Sequence, residues 1–201
     1  MIQSKKKVAW ITGGGTGIGK ELAKRFSDKK YKVIVSGRRL SKLKNIQKYN
    51  EDNIIPMKLD VTNYKKCKEI AELILKKFGS IDIIILNAAT YNPGSLEKVN
   101  VLEIKKIVET NILGPINCYS PALEYMKKIK KGHLVFVSSP AGYRGLPGAG
   151  IYGVTRDCEI LKIWAFLYKR AIQSSTAVGV WLNNNVSIIV NTDVDSASES
   201  L

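Results

Sequence analysis

Cysteine is scarce in this chain, three residues in 201, and Cys67, Cys118 and Cys158 stand far apart with no C-x-x-C pair among them. That spacing offers neither a disulfide framework nor a zinc site, no metal is expected, and a reducing cytosol suits it. Histidine is scarcer still. The single His133 opens an apolar run instead of closing one, which suits a structural role better than a catalytic one. No apolar stretch approaches the length of a bilayer-spanning helix, so no integral membrane span is expected. The N-terminal lysines and the apolar run after them are interrupted by glycine at Gly13, before a signal-peptide core is complete. The expectation is a cytoplasmic protein. Linkers, internal repeats and low-complexity tracts are missing as well, and the length is comfortable for one core, so a single domain over 1–201 is expected.

Acidic residues are also in short supply, with Asp+Glu 17 against Lys+Arg 32 and a formal net charge of +15. The excess is spread over helix faces such as Lys42/Lys44/Lys48, Lys65/Lys66/Lys68 and Lys127/Lys128/Lys130/Lys131. No basic cluster is interleaved with aromatics as single-strand readers require, so nucleic acid is not an expected partner. The charge still steers anionic ligands.

What the chain does have is a repeating pattern. Apolar runs recur at Val8 to Ile11, Lys32 to Ser36, Ile54 to Leu59, Ile81 to Leu86, His133 to Val137 and Val186 to Val190. Between them lie helical segments: Glu21 to Ser27, Leu40 to Tyr49, Tyr64 to Phe78, Val101 to Met126, and Tyr152 to about Ala171. Ile-, Val- and Leu-rich strands without polar alternation are what a parallel sheet covered on both faces requires. The fold class expected is therefore α/β, a doubly wound parallel sheet of Rossmann type, with ligands at the carboxyl ends of its strands. Gly79 and Gly132 stand where they would close helices, and Pro115 and Pro121 should kink or interrupt the long one.

Between the first strand and the first helix runs Thr12-Gly13-Gly14-Gly15-Thr16-Gly17-Ile18-Gly19. Glycines let the backbone approach a ligand closely, and N–H groups at a helix N-terminus favour a pyrophosphate. The spacing is neither G-x-G-x-x-G nor a P-loop, and alone it is equally a plain strand-to-helix turn. The second strand ends in Gly37-Arg38-Arg39, where a carboxylate would accept from a ribose 2′-hydroxyl and arginines would instead bind a 2′-phosphate. That favours NADP(H) over NAD(H), unless the arginines are simply solvated at the start of a helix.

With Leu59-Asp60-Val61-Thr62, Leu86-Asn87-Ala88-Ala89, Glu109-Thr110-Asn111-Ile112-Leu113-Gly114 and Val137-Ser138-Ser139 followed by Tyr152, the chain resembles the short-chain dehydrogenase/reductases from about Val8 to Tyr152. The resemblance implies that Thr12, Gly13, Thr16, Gly17, Ile18 and Gly19 hold the cofactor pyrophosphate. Arg38 and Arg39 would take the 2′-phosphate, Asp60 and Val61 the adenine side, and Asn87 and Ala88 would complete the cofactor site, with Ala89 in place of the family's Gly. It also implies Asn111, Ser139 and Tyr152 as catalytic residues: Tyr152 as general acid or base, Ser139 as hydrogen-bond donor to the substrate oxygen. The implied partner is a small-molecule carbonyl or alcohol substrate, a ketone to be reduced or the matching secondary alcohol to be oxidised.

The family's lysine, four residues after the tyrosine, is Arg156 here. In the family that cation favours phenolate and holds the nicotinamide ribose, so the cofactor contacts of Tyr152 and Arg156 carry over by position. A planar guanidinium need not reproduce the ribose contacts or a proton relay towards Asn111. Activity lowered by about 10²–10⁴-fold is the expectation. The alternative is a non-catalytic NADP(H)-binding protein, a sensor or partner subunit. From about residue 172 the chain is atypical: Ile172 to Asn183 has no assigned role, and the family's covering lid and seventh strand are not expected. The resemblance further implies a homo-oligomer, a dimer built on the Val101 to Met126 helix and the late helix.

Overall fold

The computed structural model describes residues 6–93, 100–142, 144, 146–156, 179–181 and 186–191. Five parallel strands alternate with helices: β1 (Val8–Thr12), α1 (Gly17–Asp28), β2 (Lys32–Gly37), α2 (Leu40–Gln47), β3 (Ile54–Lys58), α3 (Tyr64–Phe78), β4 (Ile83–Leu86), α4 (Val101–Val108), α5 (Gly114–Ile129) and β5 (Gly132–Val137). A helical segment over 150–156, α6, follows, and then β6 (Gly179–Trp181) and β7 (Val186–Asn191). The sheet order is β3-β2-β1-β4-β5-β7-β6. The expected α/β doubly wound sheet is thus present, and its direction of winding reverses between β1 and β4. Among the described residues no helix is long and apolar enough to cross a membrane.

Strand side chains are apolar on both faces because helices cover both. Trp10, Ile34, Ile84 and Leu134 pack with Cys67, Ile70, Ile74, Cys118, Ala122 and Met126 of α3 and α5. On the opposite face Ile11, Val33, Val35 and Ile85 pack with Ala23, Leu43 and Ile46 of α1 and α2. The one polar atom of the fully buried Trp10 is satisfied, since its indole N–H donates to Ser36 Oγ at 3.0 Å.

Three details differ from the expectation. The sheet has one strand more than the apolar runs named above: β6, inside the 172–183 segment that had no assigned role, pairs antiparallel with β7, with Val180 opposite Ile188. It precedes the last of those runs and is not the family's seventh strand, whose place after residue 191 lies outside the described residues. Three residues between polar stretches carry too little periodicity to be read as a strand, and the expectations for a lid and for the late helix beyond 156 fall outside the described residues. The long fourth helix is interrupted next to Pro115, as expected, but by a change of helix type and not by a break, and Pro121 does not interrupt it. It is continued through a π-helical turn at Glu109–Leu113, where the Gly114 N–H reaches back to the Glu109 carbonyl, and Pro115 sits in the first turn of α5 while Pro121 lies within it. Proline at 115 has no N–H with which to close an α bond onto Asn111, so the irregularity settles just before it. Finally, Gly79 closes α3 in the left-handed region as expected (φ 76), whereas α5 is closed by Lys130 (φ 55) and Gly132 begins β5.

Candidate active site

The reversal between β1 and β4 opens a cavity of about 410 Å³ at the carboxyl ends of the strands. Gly13, Thr16, Gly17, Ile18, Arg38, Arg39, Asp60, Val61, Asn87 and Ala88 all line it, carried there by four different β-to-α connections. Thr12 and Gly19 lie behind this wall and shape it. The Thr12 hydroxyl donates to the Ile85 carbonyl at 3.3 Å and accepts from the Asn87 and Ala88 N–H groups at 3.0 and 3.1 Å. Asn87 Nδ2 donates in turn to the carbonyls of Thr12 and Gly13, at 3.1 and 3.3 Å. The Gly-rich turn and the turn after β4 are therefore tied together by one hydroxyl and one amide.

Glycine is required in this floor. Gly13 has φ +67, and a Cβ there would stand 2.9 Å from the Ala88 Cα; one on Gly19 would stand 2.5 Å from the Gly13 oxygen. No side chain caps α1, whose N-cap is Thr16, so the first N–H groups of that helix face the cavity end of the chain unclaimed by a cap. Arg38 and Arg39 are exposed on the cavity rim. The Asp60 carboxylate is held by its own turn, accepting from Thr62 N at 3.1 Å and Thr62 Oγ1 at 2.9 Å.

Asn111, Ser139, Tyr152 and Arg156 are not among the residues that line this cavity; Asn111 directly follows the cavity residue Thr110. Asn111 is fully buried in the π-helical turn. Its Oδ1 accepts from Thr90 N at 2.8 Å, and its Nδ2 donates to Thr90 O at 2.9 Å and to Thr155 Oγ1 at 3.1 Å. The Thr155 hydroxyl donates to the Tyr152 carbonyl at 2.7 Å. The asparagine side chain is thus a brace between the loop after β4 and α6. The Tyr152 ring has the Arg156 guanidinium 4.9 Å from its centroid and the Tyr91 ring, tilted by 60°, at 4.8 Å. Arg156 is only 3% exposed and donates to the Val137 carbonyl at 3.3 Å. Ser139 Oγ accepts from Ala141 N at 3.3 Å, while the neighbouring Ser138 hydroxyl is buried and has no hydrogen-bond partner among the described residues.

The family model for short chain dehydrogenases matches residues 7–157. The chain belongs to the short-chain dehydrogenase family. Among its relatives are the uncharacterized oxidoreductases Lmo0432 of Listeria monocytogenes, 34% identical over 76% of this chain, and SSP1627 of Staphylococcus saprophyticus, 35% identical over 78%. The chain spans 62% and 64% of the lengths of those two proteins. Among solved structures, ElxO with NADP bound is 34% identical, with a TM-score of 0.77 over 82% of this chain and 68% of ElxO. A short-chain dehydrogenase from Streptomyces avermitilis shares the fold at 22% identity, with a TM-score of 0.81 over 92% of this chain and 64% of that one.

Several cavity-lining residues are ones to which the sequence motifs gave no binding role, although all but Leu43 stand inside those motifs. Gly15, Gly37, Leu43, Leu59, Ala89 and Thr110 also line the cavity. Gly37 and Leu59 immediately precede residues that were singled out, so strand ends could have found them. Thr155 and Tyr91 could not have been found that way, because their contacts reach across the fold.

Proposed function

We propose that this chain is an NADP(H)-dependent oxidoreductase that reduces a ketone or oxidises the matching secondary alcohol. The observation that carries the reading is the Tyr152 phenol held against the Arg156 guanidinium at 4.9 Å, beside a glycine-floored cavity of about 410 Å³. The cavity residues fit a dinucleotide: a floor in which Cβ atoms cannot stand, a helix N-terminus for the pyrophosphate, and Arg38 and Arg39 at the rim for a 2′-phosphate. ElxO, solved with NADP bound, supports that choice of cofactor. When bound, the cofactor supplies or accepts the hydride. The chain's own residues handle the proton and the oxygen. Tyr152 gives its phenolic proton to the carbonyl oxygen, Ser139 donates a hydrogen bond to that oxygen, and Arg156 puts a fixed positive charge beside the ring that becomes negative. Asn111, through Thr155, holds α6 at its distance from β4.

A second reading, a non-catalytic NADP(H)-binding protein, is favoured by the direction of Arg156. Its guanidinium is buried against Val137 and does not line the cavity, so it is committed to the interior. The proposal extends to a cytoplasmic homo-oligomer, since α4 leaves Val101 and Leu102 exposed. The test is NADPH consumption over a panel of ketones by the natural chain, Tyr152→Phe and Arg156→Lys, with NADPH affinity measured alongside. Turnover by the natural chain, lost in Tyr152→Phe with affinity nearly intact, is the expected result. Turnover unaffected by Tyr152→Phe refutes the tyrosine's role. Turnover in Arg156→Lys alone establishes the second reading.

A further inference from the structure

Cys67 and Cys118, 51 positions apart, meet between α3 and α5 with their sulfurs 3.5 Å apart. Both are fully buried free thiols. Cys67 Sγ also donates to the Val61 carbonyl at 3.6 Å, and Asn117 Nδ2, on the residue before Cys118, donates to the same oxygen at 2.9 Å. Val61 is a wall of the cavity, and it packs so closely on α5 that a Cβ on Gly114 would stand 2.6 Å from its Cγ2. The thiol pair is therefore fastened to the back of the cavity wall by one carbonyl.

We propose that Cys67 and Cys118 are an oxidation site for hydroperoxides, closing to an intramolecular disulfide that takes one of its two donors from the Val61 carbonyl, leaving it to Asn117 Nδ2 alone, and loosens the 59–63 wall. The Cys67 sulfur attacks the peroxide: an S–O bond forms, the O–O bond breaks, and the displaced oxygen leaves as water or an alcohol. The Cys118 sulfur then attacks the sulfenic sulfur, forming S–S as the S–O bond breaks and hydroxide leaves with the Cys118 proton as water. Two thiols and one hydroperoxide thus give one disulfide, one water and one water or alcohol. The order of attack follows the local chemistry, because the Cys118 S–H donating to Cys67 holds the Cys67 thiol below its usual range while the same bond and burial push Cys118 well above it. A disulfide needs its sulfurs about 2.05 Å apart, so they close by about 1.5 Å and the Cys67 S–H bond to Val61 is lost. The effect on cofactor affinity rests on the proposed cofactor site; the disulfide and the loosened wall do not.

The test treats the full chain with hydrogen peroxide, without NADPH, followed by non-reducing peptide mapping and amide exchange over 59–63. A Cys67–Cys118 link, faster exchange at 59–63 and reversal of both by dithiothreitol is the expected result, with NADPH bound several-fold more weakly by the oxidised form. Free sulfurs, oxyacids, or links to Cys158 or to a second chain overturn the site. A link with unchanged exchange overturns its coupling to the wall. Cys118→Ala, left unlinked by peroxide, must show no change in exchange. If the reduced chain fails to bind NADPH, the cofactor reading falls, and the link and exchange results still decide this one.

Discussion

Single atoms decide whether the cavity floor can exist. Alanine is normally a better helix residue than glycine by roughly 1 kcal/mol, so Gly19→Ala in α1 would ordinarily stabilise. Here the sign reverses. The added Cβ would stand 2.5 Å from the Gly13 carbonyl oxygen and 2.6 Å from Asn87 Nδ2, and backbone cannot give way as a flexible side chain does. A loss of about 1–3 kcal/mol, read from the urea midpoint, together with weakened NADPH binding is expected. Gly17→Ala has nothing within 4 Å of its Cβ but a φ of +52, so it costs through strain and leaves the floor's packing alone. Glycines of this kind were legible in the sequence because their need is local: a turn, a helix start, a close approach. Thr155 was not. Its hydroxyl matters only because Asn111 arrives from 44 positions away, and no pattern within α6 announces that meeting.

At the scale of elements, the buried parallel strands were the most legible part, since burial on both faces demands runs of Ile, Val and Leu. The π-helical turn at Glu109–Leu113 was hidden for the opposite reason. Its cause is a missing N–H at Pro115 combined with the demand that α5 press against Val61, and only the first of these is written locally. Gly114 is where the two demands meet. Gly114→Ala would drive its Cβ into Val61 and is expected to shift α5 away from the cavity wall, costing about 1–3 kcal/mol of stability in denaturant. If the change is neutral, α5 is not pressed against Val61. β6 was illegible at this scale too, because a three-residue strand takes its identity from the partner it pairs with.

At the scale of the molecule, the net charge of +15 could be read from composition, and its consequence belongs to the field as a whole. The Debye length falls from about 10 Å at 0.1 M salt to about 3 Å at 1 M, so NADPH affinity should fall as salt is raised across that range. NADH, which lacks the 2′-phosphate, should show the weaker dependence, and replacing Arg38 and Arg39 together by serine should bring the two cofactors close to each other in titrations. Equal salt slopes for both cofactors in the natural chain would remove the arginines from the site. The sheet order also dictates a sequence of events during synthesis. β1 is flanked by β2 and β4, and Thr12 waits for Asn87, 75 positions later. A nascent chain that has emerged only as far as β3 carries β1 with one edge unpaired. The cradle of the cavity is therefore assembled only after β4 leaves the ribosome, and until then that edge stays open to wrong partners.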